Sequence, residues 1–231
     1  MGILNITPDS FWDGGKYFRA NQAVRRALAL QDEGADILDI GAESTRPGSR
    51  PITLEEERKR LIPALKKIIP ALSIPVSVDT TKAEIAAEAL ALGASMINDT
   101  SALADPDMAR AAAKAKASIL LMHRKGTSRT MQRKPSYRRC IAEITSYLQD
   151  RIGLARAAGI PRRRILIDPG IGFGKTLRHN LEILKNIPAF RALGCRVVVG
   201  VSRKSFLGAL LDAPPEERMA GSLAAGIAAA L

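Results

Sequence analysis

The feature that most constrains this chain is an alternation: seven short apolar or β-branched runs, each followed by a longer stretch with helical spacing. The runs are Gly2 to Ile6, Asp36 to Gly41, Pro75 to Asp79, Ser95 to Asn98, Ser118 to Met122, Ile165 to Asp168 and Val197 to Val201. The helices between them are signalled by ordinary chemistry. Val24, Ala27 and Leu28 share a face before the stop at Gly34, and Leu54, Leu61, Leu65 and Ile68 share another, with Pro63 expected to kink it. Thr53-Leu-Glu-Glu56 and Thr81-Lys-Ala-Glu84 read as capping boxes, and Asp105-Pro106 as a cap followed by a first-turn proline. Ile141, Ile144, Leu148 and Ile152 line a long helix. Strands alternating with helices are joined in parallel by right-handed crossovers, which leaves an open doubly wound sheet or a closed eight-fold barrel.

The residues after the runs choose between the two. Polar or turn-forming chemistry follows every one: Asn5 to Asp9, Glu43 to Pro47, Asp79-Thr80, Asn98-Asp99, His123-Arg124, Asp168-Pro169-Gly170 and Ser202-Arg203-Lys204. In a barrel all seven converge on one mouth, whereas an open sheet gathers only those near its switch point. A single Asp or Asn at a strand end is an ordinary turn former. Seven in series favour an α/β fold of the TIM (β/α)8 type. The count nevertheless ends at seven, because Ser205 to Asp212, Pro214-Pro215 and an Ala-rich helix from Glu216 to Leu231 follow, and the eighth strand is absent. Unpaired sheet edges are avoided in folded proteins, so the expectation is a fragment or a barrel closed by a partner. No domain-sized linker interrupts the series, and residues 1–231 read as a single domain.

Composition narrows the function. A net charge of +12 with 46% hydrophobic residues describes a basic folded chain. No apolar stretch approaches the roughly 18 residues of a membrane helix, and the N-terminus lacks a signal-peptide pattern, so a cytoplasmic location is expected. Cys140 and Cys195 form no Cys-x-x-Cys and read as reduced thiols, while His123 and His179 are not at ligand spacing. Any metal would then be oxygen-bound. Arg124 to Arg139 carries seven cations and no acid, but only one aromatic, Tyr137, and no nucleic-acid signature. It reads as a solvated loop and helix start that can also attract an anionic substrate, with no nucleic acid and no membrane as partner.

The motifs point to a small anionic ligand. Asp168-Pro-Gly-Ile-Gly-Phe-Gly-Lys175 is a glycine-rich turn that permits close ligand approach. It is not a Walker loop, since Pro169 stands where the first glycine is required, and no GxGxxG follows the first strand. Asp79, Asn98 and Asp168 each end an apolar run, so two carboxylates and an amide would face one cavity, a set suited to a flat heterocycle bearing an amide and an amino group. Arg203 and Lys204 add positive charge, and Asn5, Thr45 and Arg46 offer contacts suited to phosphate with a hard metal.

Taken together the motifs resemble the dihydropteroate synthase family over essentially the whole chain. Gly2-Ile-Leu-Asn-Ile-Thr-Pro-Asp-Ser-Phe-Trp-Asp-Gly-Gly15 and Gly34-Ala-Asp-Ile-Leu-Asp-Ile-Gly-Ala-Glu-Ser-Thr-Arg-Pro-Gly48 are similar to its first two signatures, with Ala42 where glycine is usual. Val78-Asp-Thr80, Ile97-Asn-Asp99, the Asp168 to Lys175 loop and Ser202-Arg-Lys-Ser205 complete the set in order. The resemblance implies a pterin-binding barrel that joins 6-hydroxymethyl-7,8-dihydropterin pyrophosphate to p-aminobenzoate with Mg²⁺, releasing pyrophosphate and 7,8-dihydropteroate. It implies Asp79 and Lys204 as catalytic, with Asp79, Asn98, Asp168 and Lys204 holding the pterin and Met122, Phe173 and Gly200 as walls. Thr45 and Arg46 would meet the pyrophosphate, Asn5 the Mg²⁺, and Phe11, Thr45, Pro47, Lys204 and Ser205 the p-aminobenzoate. It also implies a homodimer when the C-terminus is complete.

Departures from the family pattern are few. The eighth strand with its Arg-Val-His motif is missing, His123-Arg-Lys-Gly126 is more basic than usual, and Ser128 replaces a common proline. Two other readings compete: a pterin-dependent methyltransferase, expected to lack the Thr-Arg-Pro-Gly and Ser-Arg-Lys-Ser loops, and a non-catalytic truncated pterin-binding barrel.

Overall fold

The computed structural model describes residues 1–6, 16–44 and 48–231, without the side chains of 16–20. Seven strands, β1 (Gly2–Asn5), β2 (Leu38–Gly41), β3 (Val76–Asp79), β4 (Met96–Asp99), β5 (Ser118–Met122), β6 (Ile165–Asp168) and β7 (Arg196–Val197), form one sheet in strict chain order. All neighbours pair in parallel. An order that never turns back has no switch point, so the doubly wound alternative is excluded and the barrel arrangement holds. Among the described residues no eighth strand is present, and β1 and β7 each have a single neighbour.

The helices are α1 (Lys16–Asp32), α2 (Leu54–Ile68), α3 (Ala83–Ala91), α4 (Met108–Lys114), α5 (Cys140–Ala157), α6 (Leu177–Lys185), α7 (Ile187–Arg191), α8 (Ser205–Leu211) and α9 (Met219–Ala230). They cover the face of the sheet that the two-residue period of the strands makes apolar. One register row, Ile40, Val78, Ile97, Ile119 and Ile165, is fully buried in a core with Leu61 and Leu65 of α2, Ile85 of α3, Ile144 and Leu148 of α5 and Ile183 of α6. Each such side chain contributes about 1.5–3 kcal/mol of burial. One residue further along, the pleat turns the next row to the other face: Asn5, Gly41, Asp79, Asn98 and Leu120 stand side by side. The same pairing that builds the core thus delivers the polar row to the barrel mouth.

Several local expectations need correction. The helix expected to start from a Thr81 capping box starts at Ala83, with no side-chain bond from its N-cap, Lys82. Asp105 Oδ2 instead accepts from the Ala83 amide at 2.8 Å, so a carboxylate 22 residues away performs the capping. The helix expected to open at Asp105-Pro106 likewise starts later, at Met108 with Asp107 as its N-cap, and the other Asp105 oxygen accepts from the Asp107 amide at 3.0 Å in the turn before it. Thr53 does cap α2 by accepting from the Glu56 amide at 3.2 Å, and Pro63 leaves α2 continuous. The seventh strand is shorter and earlier than Val197 to Val201, ending at Val197, with the Val198 amide still donating to Ile167 at 2.8 Å.

Candidate active site

A cavity of about 500 Å³ opens at the C-terminal ends of the strands. It is lined by eight residues named from the sequence: Asn5, Asp79, Asn98, Met122, Asp168, Phe173, Gly200 and Lys204. Phe11, Thr45, Arg46 and Pro47 lie outside the described residues. Ser205 is the exposed first residue of α8 and does not line the cavity.

The acidic side is assembled by β2, β3 and β4. Gly41 pairs in register with Asp79, and a Cβ there would stand 3.2 Å from the Asp79 Cβ, so the missing side chain makes room for the carboxylate. Asn98 Nδ2 donates to Asp39 Oδ2 at 2.9 Å, which sets the plane of its amide and leaves its oxygen available. Burial first, then the neighbouring charges of Asp39, Glu57, Asp99 and Glu43, hold Asp79 well above the usual carboxylate range. Burial raises Asp39 as well, opposed by the Ser77 hydroxyl and the Asn98 amide.

Asp39 is a charged lining residue that the strand ends do not reveal. It lies within the run Ile37-Leu38-Asp39-Ile40, and its signal is a lone charge inside an apolar strand, two residues before the glycine that faces Asp79. Behind this side Glu57, fully buried on α2, accepts from Thr80 Oγ1 at 2.6 Å and pairs with Lys82, which also reaches Glu43 at 2.8 Å.

The basic side comes from the loops after β6 and β7. Asp168 Oδ1 accepts from the Gly170 amide at 2.6 Å, and Lys204 Nζ donates to the Ile171 carbonyl at 2.6 Å while standing 4.8 Å over the Phe173 ring. Arg203, just before it, has φ of +52°, and its amide donates to Ser222 Oγ of α9 at 2.9 Å. Burial lowers the Lys204 ammonium, with Asp168 opposing; burial raises Asp168, with Lys204, the Gly170 amide and Lys175 opposing.

The cavity therefore offers carboxylate and amide acceptors on one side, an ammonium on the other, and Met122 and Phe173 as apolar faces. This is complementary to a planar heterocycle whose edge carries N–H donors and a carbonyl. Fold and site together define a (β/α) barrel enzyme that acts on such a heterocycle.

The chain belongs to the pterin-binding enzyme family, whose pattern matches residues 1–231. It is 42% identical over 231 residues to the dihydropteroate synthase of Escherichia coli strain K12, covering all of this chain and 82% of that protein. Among solved structures it is similar to Xanthomonas albilineans dihydropteroate synthase with 4-aminobenzoic acid, with a TM-score of 0.92 and 45% identity over 99% of this chain and 82% of that one. The same enzyme in complex with 7,8-dihydropteroate gives a TM-score of 0.88 and 42% identity, again over 99% and 82%.

Proposed function

We propose that this chain is a dihydropteroate synthase of folate biosynthesis, a transferase that condenses 6-hydroxymethyl-7,8-dihydropterin pyrophosphate with p-aminobenzoate. The observation that carries the reading is the joining of Asp79, Asn98, Asp168 and Lys204 around one cavity in a barrel 42% identical to a named synthase.

Asp79, Asn98 and Asp168 take the donor edge of the pterin, Lys204 its acceptor edge, and Met122, Phe173 and Gly200 its faces. In the reaction the bond from the pterin methylene to the pyrophosphate oxygen breaks, leaving positive charge delocalised from the methylene into the ring. Asp79 stabilises that charge from a fixed, water-poor position, the kind of preorganised interaction that carries much of catalysis. The amine nitrogen of p-aminobenzoate then forms the new carbon–nitrogen bond and loses its proton. That amine is neutral at pH 7 and needs orientation more than a strong base. Phe11, Thr45, Pro47, Lys204 and Ser205 supply the orientation in this reading, and Thr45 and Arg46 meet the pyrophosphate.

Asn5 offers one hard oxygen at the cavity, and among the described residues no group of three or more His, Cys, Asp or Glu could hold a metal ion. Such a donor set fits an Mg²⁺ that takes its other ligands from substrate phosphate and water. When bound it neutralises charge on the departing pyrophosphate.

Residues 1–231 form one domain in this reading, supported by the single sheet. Among the described residues no helix is long and apolar enough to cross a membrane, and we place the enzyme in the cytoplasm. A homodimer of the chain with its C-terminus complete is part of this reading, and the exposed stripe Met219, Leu223 and Ile227 on α9 supports it.

The deciding experiment incubates the purified chain with both substrates and Mg²⁺ and follows dihydropteroate and pyrophosphate together. Equal amounts of the two products are expected. Pyrophosphate without dihydropteroate, or pterin binding without either product, would overturn the assignment of turnover.

A further inference from the structure

Lys175 closes the glycine-rich loop after β6 and is 3% exposed, yet it does not line the cavity. Its Nζ lies 2.9 Å from the Phe173 carbonyl, 3.0 Å from His123 Nδ1 and 3.3 Å from the His123 carbonyl. An ammonium has three donors, and here they meet three neutral acceptors. Two of those belong to His123, 52 residues away at the end of β5.

The seam that Lys175 crosses is a backbone-to-backbone contact. Gly170 has φ of +71° and a Cβ there would collide with the His123 carbonyl oxygen; Gly174 has φ of +69° and would collide with the Lys125 carbonyl oxygen. His123 is held from the other side, its amide donating to the Asp168 carbonyl at 2.9 Å and its ring packed edge-on against Tyr147 at 5.0 Å. Burial, then the charge of Lys175, lowers the imidazole to about 3, so it stays neutral and able to accept at Nδ1. Tyr137 fastens the far end of the loop by donating to the Gly174 carbonyl at 2.9 Å. What this loop carries is the basic side of the cavity: the Ile171 carbonyl that receives Lys204, the Phe173 ring beneath it, and the Gly170 amide bonded to Asp168.

We propose that Lys175 is a positioning residue: by tying Phe173 to His123 across the seam between the β5 and β6 loops, it holds the glycine loop in the form that aims Lys204 and Asp168 into the cavity. The inference rests on the reading of that cavity as the pterin site. The groups facing the ammonium are His123 from β5, Asp168 from β6, Cys140 from α5 and Lys204 from the β7 loop; burial, with Lys204, outweighs Asp168 and Cys140 and brings it to about 7. A neutral amine keeps two donors and cannot satisfy three acceptors, so the clamp slackens as pH rises through neutrality.

The test measures binding of 7,8-dihydropteroate by fluorescence between pH 6 and 8, with melting temperature alongside, for the wild type, Lys175→Met and Lys175→Gln. Lys175→Met is expected to bind at least tenfold more weakly at pH 6 and to lose the weakening that the wild type shows towards pH 8. Lys175→Gln, which keeps two donors, should fall between them. A folded Lys175→Met that binds within twofold of wild type, with the same pH profile, overturns the proposal. Should neither variant fold, hydrogen exchange in the wild type decides: amides of residues 123–126 and 170–175 must lose protection between pH 6 and 8 relative to the strand core, and unchanged relative protection refutes the clamp. Failure of the wild type to bind dihydropteroate would instead refute the pterin reading of the cavity, so the two failures are distinct.

Discussion

The two sides of the cavity meet the cost of burying charge in opposite ways. On the acidic side Asp79 faces Asp39, Glu57, Asp99 and Glu43, so like charges add to desolvation and the empty site favours a proton on Asp79. On the basic side Asp168 and Lys204 are also desolvated, but each opposes the other's shift. One side is thus frustrated until a ligand arrives and the other is paired beforehand. A ligand bringing N–H donors or developing positive charge relieves the first, favouring loss of its proton; the second mainly orients.

The largest effect should come from removing the charge on the frustrated side. Asp79→Asn keeps the shape and is expected to lower kcat/KM at least about 100-fold, on the scale of losing one preorganised electrostatic partner of the transition state. Steady-state kinetics on purified, folded protein check it. A loss under tenfold would mean that the asymmetry between the sides has no catalytic use. On the paired side Lys204→Met is expected to weaken pterin binding by roughly 10- to 100-fold, the range for a hydrogen bond from a charged donor. Calorimetric titration with a pterin reads this directly. Because Lys204 is not among the groups that set Asp79, the acid limb of the pH profile should stay in place; a displaced limb would show that the two sides are coupled.

Asp39→Asn tests the origin of the frustration, with an expected loss in pterin affinity of about tenfold from the weakened hold on Asn98. The sign of its pH effect follows from charge. Asp79 is raised by burial first and by Asp39 next, so taking away the Asp39 charge lets Asp79 ionise at lower pH. The acid limb of kcat/KM should move down the pH scale. A limb that moves up, or stays, would remove Asp39 from the account.

What could be read from the sequence, and what could not, follows the range of the interactions. Asp79, Asn98 and Asp168 were legible because each ends an apolar run, and a two-residue pleat then fixes which face they take. The strand order was legible from the alternation together with the polar residues that follow all seven runs. Asp39 was hidden because it lies inside its strand rather than at the end, and its partner Asn98 lies 59 residues away. The capping of α3 was misread for the same reason: Thr81 offers a local pattern, but the Asp105 carboxylate arrives through the fold. Lys175 was legible only as a motif ending, since its acceptors on His123 come from another strand. Local periodicity placed the scaffold and the obvious acids, and the contacts that tune them are long-range.

The smallest effect should come from Glu57→Gln, and its value lies in being small. Glu57 does not line the cavity at the strand ends; it sits on α2, fully buried, bonded to Thr80 Oγ1 at 2.6 Å and paired with Lys82. Glutamine preserves the acceptor for Thr80, and Lys82 keeps Glu43 at 2.8 Å, so the loop bases stay joined. One buried negative charge behind Asp79 nevertheless disappears. Among the charges that raise Asp79, Glu57 comes after Asp39, so the acid limb should shift in the same downward direction as in Asp39→Asn but by less. Away from that limb kcat/KM should change less than about threefold, because no group touching substrate is altered. A pH profile of kcat/KM, with the melting temperature as a check on folding, reads both. No shift, or one opposite in sign, would mean that the charge behind the strand does not act on Asp79, and a shift as large as that of Asp39→Asn would overturn the order of the two charges.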